Sequence, residues 1–508
     1  MDARVGGQTT PAGQDTGSGV AAPAAPHADL EPLTHRERRI IVISMMLPVF
    51  LGSIDQSILA TSLPSIGRAL GNLHDLPWLV TAFLIASTAL TPLYGKFADI
   101  HGRRASLLIA LGVYMVGSLI SASSSSMLML IGGRVVQGCG GGGLVATAQM
   151  ILGDVAAPKD RAKYYAYFSV AFTTAGGCGP VLGGWICDHL YWWVIFLWNL
   201  PLCAIAVVLT LTMLRRLPRH DRPHQLDFAG AFLVMAASSS FMLALNLGGV
   251  RYPWFSSPIL VLAVSALVLG AGFVFRQLTA KEPLIPLAIL SDATARFSIA
   301  AHSFGWGSIM ALNIFLPMYL QSVLGWSATS SGLSVMILMI TLNASAGLSS
   351  QLTGRVKHYK LLPNILLVVG IGAMAALGFA AARLSSLQLE VILFLIGIGF
   401  GPTAPLTQVM LQNTVSIHHL GAAIGTMNFV RTLVGTVLIA AFGAIVLAAV
   451  PLGASGDTLG QRALAGTSVT TFAIVFFAAA ATLTVALIAM LVVEEKPLES
   501  RIQTSPPS

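Results

Sequence analysis

This sequence is poor in charge. Only 9% of its 508 residues are Asp, Glu, Lys or Arg, against about a quarter in soluble domains. A chain so poor in charge cannot clothe a water-facing surface, which excludes an ordinary soluble protein. Cysteine is scarce as well: Cys139, Cys178, Cys187 and Cys203 are the only four. All lie in or beside apolar segments and none has metal-ligand spacing, so they read as small packing residues. His418-His419 is the one adjacent histidine pair, and it lacks the spacing that puts two ligands on one helix face. No metal and no catalytic residue is therefore expected, and a polytopic membrane enzyme, which needs a polar catalytic cluster, is disfavoured. There is no phosphate-binding Gly-x-x-x-x-Gly-Lys-Ser/Thr string, which argues against direct ATP drive, and no filter repeat of the kind a channel uses.

What is present is apolar. Hydrophobic residues make up 55% of the chain and the mean hydropathy is +0.80. Runs of about 20 apolar residues, the length that crosses a bilayer, recur throughout, and 50 glycines suit close helix packing in lipid. These features predict an all-α polytopic membrane protein with helices near 40–64, 77–97, 104–123, 127–152, 164–187, 193–214, 227–249, 256–276, 297–321, 330–352, 361–382, 388–412, 420–447 and 469–493. Gly248-Gly249 and Tyr252-Pro253 supply a turn between the seventh and eighth. Residues 1–34, rich in Gly, Ala, Pro and Thr, read as a disordered cytoplasmic tail rather than a signal peptide, and 494–508 as a second tail.

Basic residues set the orientation, because Lys and Arg favour cytoplasmic loops. With the N-terminus inside, 22 of the 28 Lys and Arg fall on the inner side, four outside and two, Arg134 and Arg431, within spans. This predicts an even span number and two cytoplasmic ends. The net charge of +8 then belongs to topology and anionic lipid, not nucleic acid. A basic loop follows the second span and another, Leu352-Thr353-Gly354-Arg355-Val356-Lys357, follows the tenth. The repeat suggests an N-terminal six-helix half (35–216), two extra helices with linkers (217–280) and a C-terminal six-helix half (281–493), with a substrate site between the halves.

Asp55 is the one acid deep within a span. An ionised carboxylate there costs at least ~2.5–3.5 kcal/mol, and a carboxyl held between burial and a nearby cation can change protonation as access alternates. Arg134, expected in the inner or middle part of the fourth span, must face a partner or a cavity. Arg431 follows the same logic. In the fifth span, Gly179-Pro180-Val181-Leu182-Gly183-Gly184 joins a helix-kinking proline to close-packing glycines. Gln56, Gln137, Asn313, Gln321, Gln408 and Asn428 are polar side chains within spans, candidates to line a cavity.

The loop Gly95-Lys96-Phe97-Ala98-Asp99-Ile100-His101-Gly102-Arg103-Arg104 resembles the signature between spans two and three of the major facilitator superfamily. Ile54-Asp55-Gln56-Ser57-Ile58-Leu59-Ala60-Thr61-Ser62-Leu63-Pro64 is similar to the first-span pattern of its 14-span drug:proton antiporter branch, with Ser57 in place of Thr. Arg134, Gln137, Gly138 and Gly140 fit that branch's fourth-span pattern. Gly179, Pro180, Gly183 and Gly184 fit its fifth-span pattern, with Ala175 at the leading glycine. The resemblance implies a major facilitator fold of two six-helix halves plus two inserted helices, 14 transmembrane helices in all. It implies proton coupling at Asp55 and Arg134, cytoplasmic gating by Gly95, Asp99, Gly102, Arg103 and Arg104, and export marked by Gly179, Pro180, Gly183 and Gly184. The expected function is a monomeric, proton-driven exporter of amphipathic or cationic compounds in the cell membrane, needing no cofactor beyond the proton-motive force. An importer or symporter of small organic solutes on the same fold is the rival reading.

Overall fold

The structure, a computed structural model, describes residues 34–70, 75–156, 158–214, 227–249, 252–280, 283–285, 287–326, 328–353, 358–381, 384–415, 419–448 and 469–495. Of the expected tails at 1–34 and 494–508, residues 1–33 and 496–508 lie outside the described residues, as do Arg355, Lys357 and His418. Among those described, fourteen helices are long and apolar enough to cross a bilayer. The first six are α1 (His35–Leu70), α2 (Leu76–His101), α3 (Arg103–Ala122), α4 (Met127–Val155), α5 (Pro158–His189) and α6 (Val194–Met213). A pair follows, α7 (Phe228–Leu247) and α8 (Ser257–Thr279). The last six are α9 (Ala293–Ser322), α10 (Ala328–Thr353), α11 (Leu361–Ala380), α12 (Ser386–Thr414), α13 (Leu420–Ala448) and α14 (Val469–Val492). The two-residue turn Gly401-Pro402 interrupts α12, where the proline withholds a backbone donor.

Glycines decide how these helices pack. A methyl group on Gly140 of α4 would sit 2.4 Å from the Tyr114 nitrogen of α3, and one on Gly142 would sit 2.3 Å from the Ser87 oxygen of α2. Only a missing side chain lets three backbones approach so closely. The arrangement recurs in the second set of six. A methyl on Gly399 of α12 would meet Gly370 of α11 at 2.5 Å, and one on Gly401 would meet the Leu342 oxygen of α10 at 2.2 Å. Likewise α1 packs on α5 as α9 packs on α13, and α3 on α6 as α11 on α14.

Each set keeps its own core. One buried cluster centres on Phe315, Tyr319, Phe400, Phe472 and Phe476 of the second set, another on Tyr114, Phe83, Leu144 and Phe168 of the first. The fold is thus two six-helix halves, with α2 against α13 and α5 against α10 across the join. The extra helices attach at its edge: α7 packs on α2 and α13, while α8 packs on α7. Asp227 staples the pair, accepting from the Gly230 nitrogen (3.0 Å) and from Arg276 Nε (2.9 Å) at the far end of α8. The expected turn between them forms, with Gly249 at φ 73° and its N–H donating to the Tyr252 carbonyl at 2.8 Å.

Candidate functional site

Asp55 and Arg134 meet in a buried polar knot. Arg134 Nη1 donates to Asp55 Oδ2 at 2.6 Å, with the two side chains 0% and 4% exposed. The carboxylate's Oδ1 accepts from Gln137 Nε2 (3.0 Å) and Asn199 Nδ2 (3.2 Å), so α1, α4 and α6 converge on it. Arg134 is held on its other sides by the Leu79 carbonyl of α2 (3.0 Å) and by the Phe83 ring, 4.5 Å from the guanidinium carbon. Gln137 completes the knot through Ser118 of α3. Such a pair survives burial because donors to the carboxylate and acceptors for the guanidinium offset much of its desolvation, while Arg134 Nη2 and Asn199 Oδ1 stay unpartnered among the described residues. Arg134 is in the N-terminal third of α4 (Met127–Val155), where Asp55 reaches it from α1.

The α2–α3 loop motif builds a second centre at the opposite end of those helices. Arg103 bridges Asp99 (2.5 Å) and Asp154 (2.8 Å), an acid at the end of α4. Asp99 also crosses to the other half: its Oδ1 accepts the Gly421 N–H (3.0 Å) and its Oδ2 the Ala422 N–H (2.8 Å). These are first-turn donors of α13, left without helical partners and attractive to an anion. Gly95 is not part of the turn. It lies within α2 and faces the Gly421 carbonyl at 2.5 Å from where a methyl would be. Gly102 makes the turn, at φ 87°, a conformation that other residues adopt at a cost. Arg104 donates to the Leu211 carbonyl at 3.2 Å, tying α3 to α6.

A second cross-half latch stands beside the first. Arg161, just ahead of the membrane-crossing stretch Lys163–Cys187, donates to the Ala156 (3.1 Å) and Gly153 (2.7 Å) carbonyls of the first half and to the Gln412 carbonyl (2.9 Å) of the second. Burial pushes its guanidinium down to about 10, which leaves it charged at neutral pH. Gln412 Nε2 in turn donates to the Tyr165 hydroxyl at 2.5 Å. An anion thus caps one helix start and a cation caps two helix ends, all at the same end of the molecule.

In the fifth helix, Gly179 packs on α1, where a methyl would lie 2.3 Å from Ser57 Cβ. The helix runs unbroken through Pro180. Gly183 is buried, whereas Gly184 faces open space.

Between the halves lies a cavity of about 400 Å³, within the range of drug-sized sites. Gln56, Asn313, Gln408, Asn428 and Arg431 line it, as expected; Gln137 and Gln321 do not. Gln137 is spent in the Asp55 knot, and Gln321 sits one residue from the end of α9. Asp55 is not on the wall either, although Gly52, Ser53, Gln56 and Ser57 around it are. The sequence reading missed His302, Gln149 and Trp306 on this wall. Asn428 Nδ2 donates to Gln149 Oε1 at 2.7 Å, joining the two halves at the cavity wall. Among the described residues the wall carries no carboxylate.

Residues 45–439 match the family described as the Major Facilitator Superfamily. This chain belongs to that superfamily. It is therefore a multi-pass membrane transporter, acting on small molecules. The multidrug transporter protein MdtP of Bacillus subtilis (strain 168) is 31% identical over 428 residues, which cover 84% of this chain and 77% of that protein. The efflux pump dotC of Dothistroma septosporum is 29% identical over 416 residues, 79% of this chain and 70% of that one. Among solved structures, the superfamily's proton:xylose symporter XylE matches with a TM-score of 0.61 at 12% identity, covering 90% of this chain and 96% of that one. At that identity the likeness concerns the fold alone.

Proposed function

We propose that this transporter is a proton-coupled antiporter, exporting amphipathic organic compounds across the cell membrane by alternating access, as a monomer with both termini cytoplasmic. The observation that carries the proposal is the Asp55–Arg134 pair, a buried carboxylate on α1 bonded to a guanidinium on α4 at 2.6 Å. A proton arriving at Asp55 cancels its charge and weakens that bond. Arg134 keeps the Leu79 carbonyl, Gln137 and the Phe83 face, so α4 stays braced while α1 is released. Ser53, Gln56 and Ser57 on the same helix line the cavity, which links the state of Asp55 to the cargo site.

With the α2–α3 loop on the cytoplasmic side, the Asp99 and Arg161 latches close the inner end, and the described conformation is outward-facing. Release of α1, seamed to α5 at Ser57 and Gly179, rocks the first half and breaks those latches. Proton release inside and binding of the next cargo molecule then reset the pair. The membrane potential contributes about 2.3 kcal/mol per charge per 100 mV, so one proton per cargo molecule sustains a gradient of roughly fiftyfold at that voltage. Homologues named as multidrug transporter and efflux pump support the export direction. The test is Asp55→Asn in everted vesicles: insertion and expression persist, while efflux coupled to an imposed pH gradient is lost. Wild-type coupling in that variant overturns the assignment.

A further inference from the structure

Arg431 is half-buried and differs from the buried arginines Arg103, Arg134 and Arg161. Arg134 and Arg103 are paired with acids, and Arg161 is spent on three carbonyls. Arg431, on the cavity wall, stacks over the Trp306 ring at 5.1 Å. Its Nε is buried and has no hydrogen-bond partner among the described residues. A cation left this way inside a membrane protein is costly unless something completes it.

His302 is on the same wall, 2% exposed and within electrostatic range of Arg431. Its ring carries a second unused atom. The Thr407 hydroxyl donates its one hydrogen to the backbone carbonyls of Thr403 (2.8 Å) and Ala404 (3.0 Å). Thr407 Oγ1 can then only accept from His302, 2.9 Å from Nδ1, which puts the ring proton on Nδ1 and leaves a lone pair on Nε2. Nε2 is buried and unpartnered among the described residues. The same wall therefore carries a cationic donor and a neutral acceptor, and no carboxylate among the described residues.

We infer that Arg431 and His302 form the subsite for an acidic group on the cargo, a carboxylic acid or phenol carried by an apolar, aromatic body. The O–H of such a group donates to His302 Nε2, and its oxygen accepts from the Arg431 guanidinium. Phe83, Phe168, Met310 and Ile309 on the rest of the wall take the apolar body. An amine or quaternary ammonium meets Arg431 with like charge and no acid to offset it. The inference rests on the export reading only in taking this cavity as the cargo site.

Equilibrium binding to the purified full chain without any gradient, at mildly acidic pH, tests it with two xanthene dyes: fluorescein, which then holds a carboxylic acid and a phenol O–H, and rhodamine 6G, a cationic ester. The expected result is that fluorescein binds the wild-type protein more tightly than rhodamine 6G. Arg431→Gln weakens fluorescein binding by roughly tenfold or more, as loss of a charge-assisted hydrogen bond requires, Arg431→Lys restores part of it, and His302→Phe weakens it. Tighter binding of rhodamine 6G, no binding of either dye, or fluorescein affinity unchanged in folded Arg431→Gln overturns the inference. Should Arg431→Gln fail to fold, the wild-type preference alone decides. Fluorescein binding that persists in Asp55→Asn, measured beside its proton-driven efflux, separates a failure of this subsite from a failure of proton coupling.

Discussion

Asp99 of α2 holds the start of α13 by accepting the Gly421 and Ala422 backbone N–H groups at 3.0 and 2.8 Å. The same carboxylate is gripped by Arg103, so one side chain joins its own loop to the other half. An anion at a partly buried helix start contributes about 1–2 kcal/mol. Asp99→Asn removes the charge and keeps one acceptor. The closed form of this latched end should lose roughly tenfold in population, seen as longer spin-label distances between the C-terminal end of α2 and the N-terminal end of α13. An unchanged distance distribution would show that the motif does not hold this end shut.

Arg134→Gln should destabilise the protein more than Asp55→Asn does. It strands a buried carboxylate with only Gln137 and Asn199, a situation that costs about 3–5 kcal/mol. In Asp55→Asn the guanidinium still has the Leu79 carbonyl and the Phe83 ring. The double variant should lose less than the two single losses added, because both charges leave together. Thermal unfolding in detergent measures all three, and additive losses would mean the two side chains do not act as a pair.

Two glycines of the fifth-helix motif should respond oppositely to alanine. At Gly179 the new methyl would lie 2.3 Å from Ser57 Cβ, whereas nothing lies within 4 Å of it at Gly184. Overpacking at the first site costs about 1–3 kcal/mol and should slow transport by jamming α5 against α1. Gly184→Ala should transport normally. Equal behaviour of the two variants in a dye-efflux assay would remove the seam at Ser57 from the account.

Arg161→Ala leaves the Gly153, Ala156 and Gln412 carbonyls without their charged donor. Unmet acceptors of this kind cost about 1–3 kcal/mol. Faster hydrogen–deuterium exchange across 153–165 and 408–414 is expected, with exchange near Asp55 on α1 unaltered. Faster exchange throughout the chain would instead mark a general loss of stability.

The span count, the repeat of six and the pair of odd helices were legible in composition and loop charge, because the bilayer demands long apolar runs and penalises misplaced cations. Asp55 and Arg134 were also legible, since charge inside an apolar run stands out. That they bind each other was not, because nothing local relates positions 79 residues apart. Gly95 and Gly421 show the same limit: a glycine's use depends on which backbone comes near it. Gln137 and Gln321 looked like cavity residues by chemistry alone, and helix rotation and depth assigned them elsewhere. The bilayer as solvent is thus written into sequence, residue by residue. Which polar groups meet, and which face the cavity between the halves, was decided only by how fourteen helices pack.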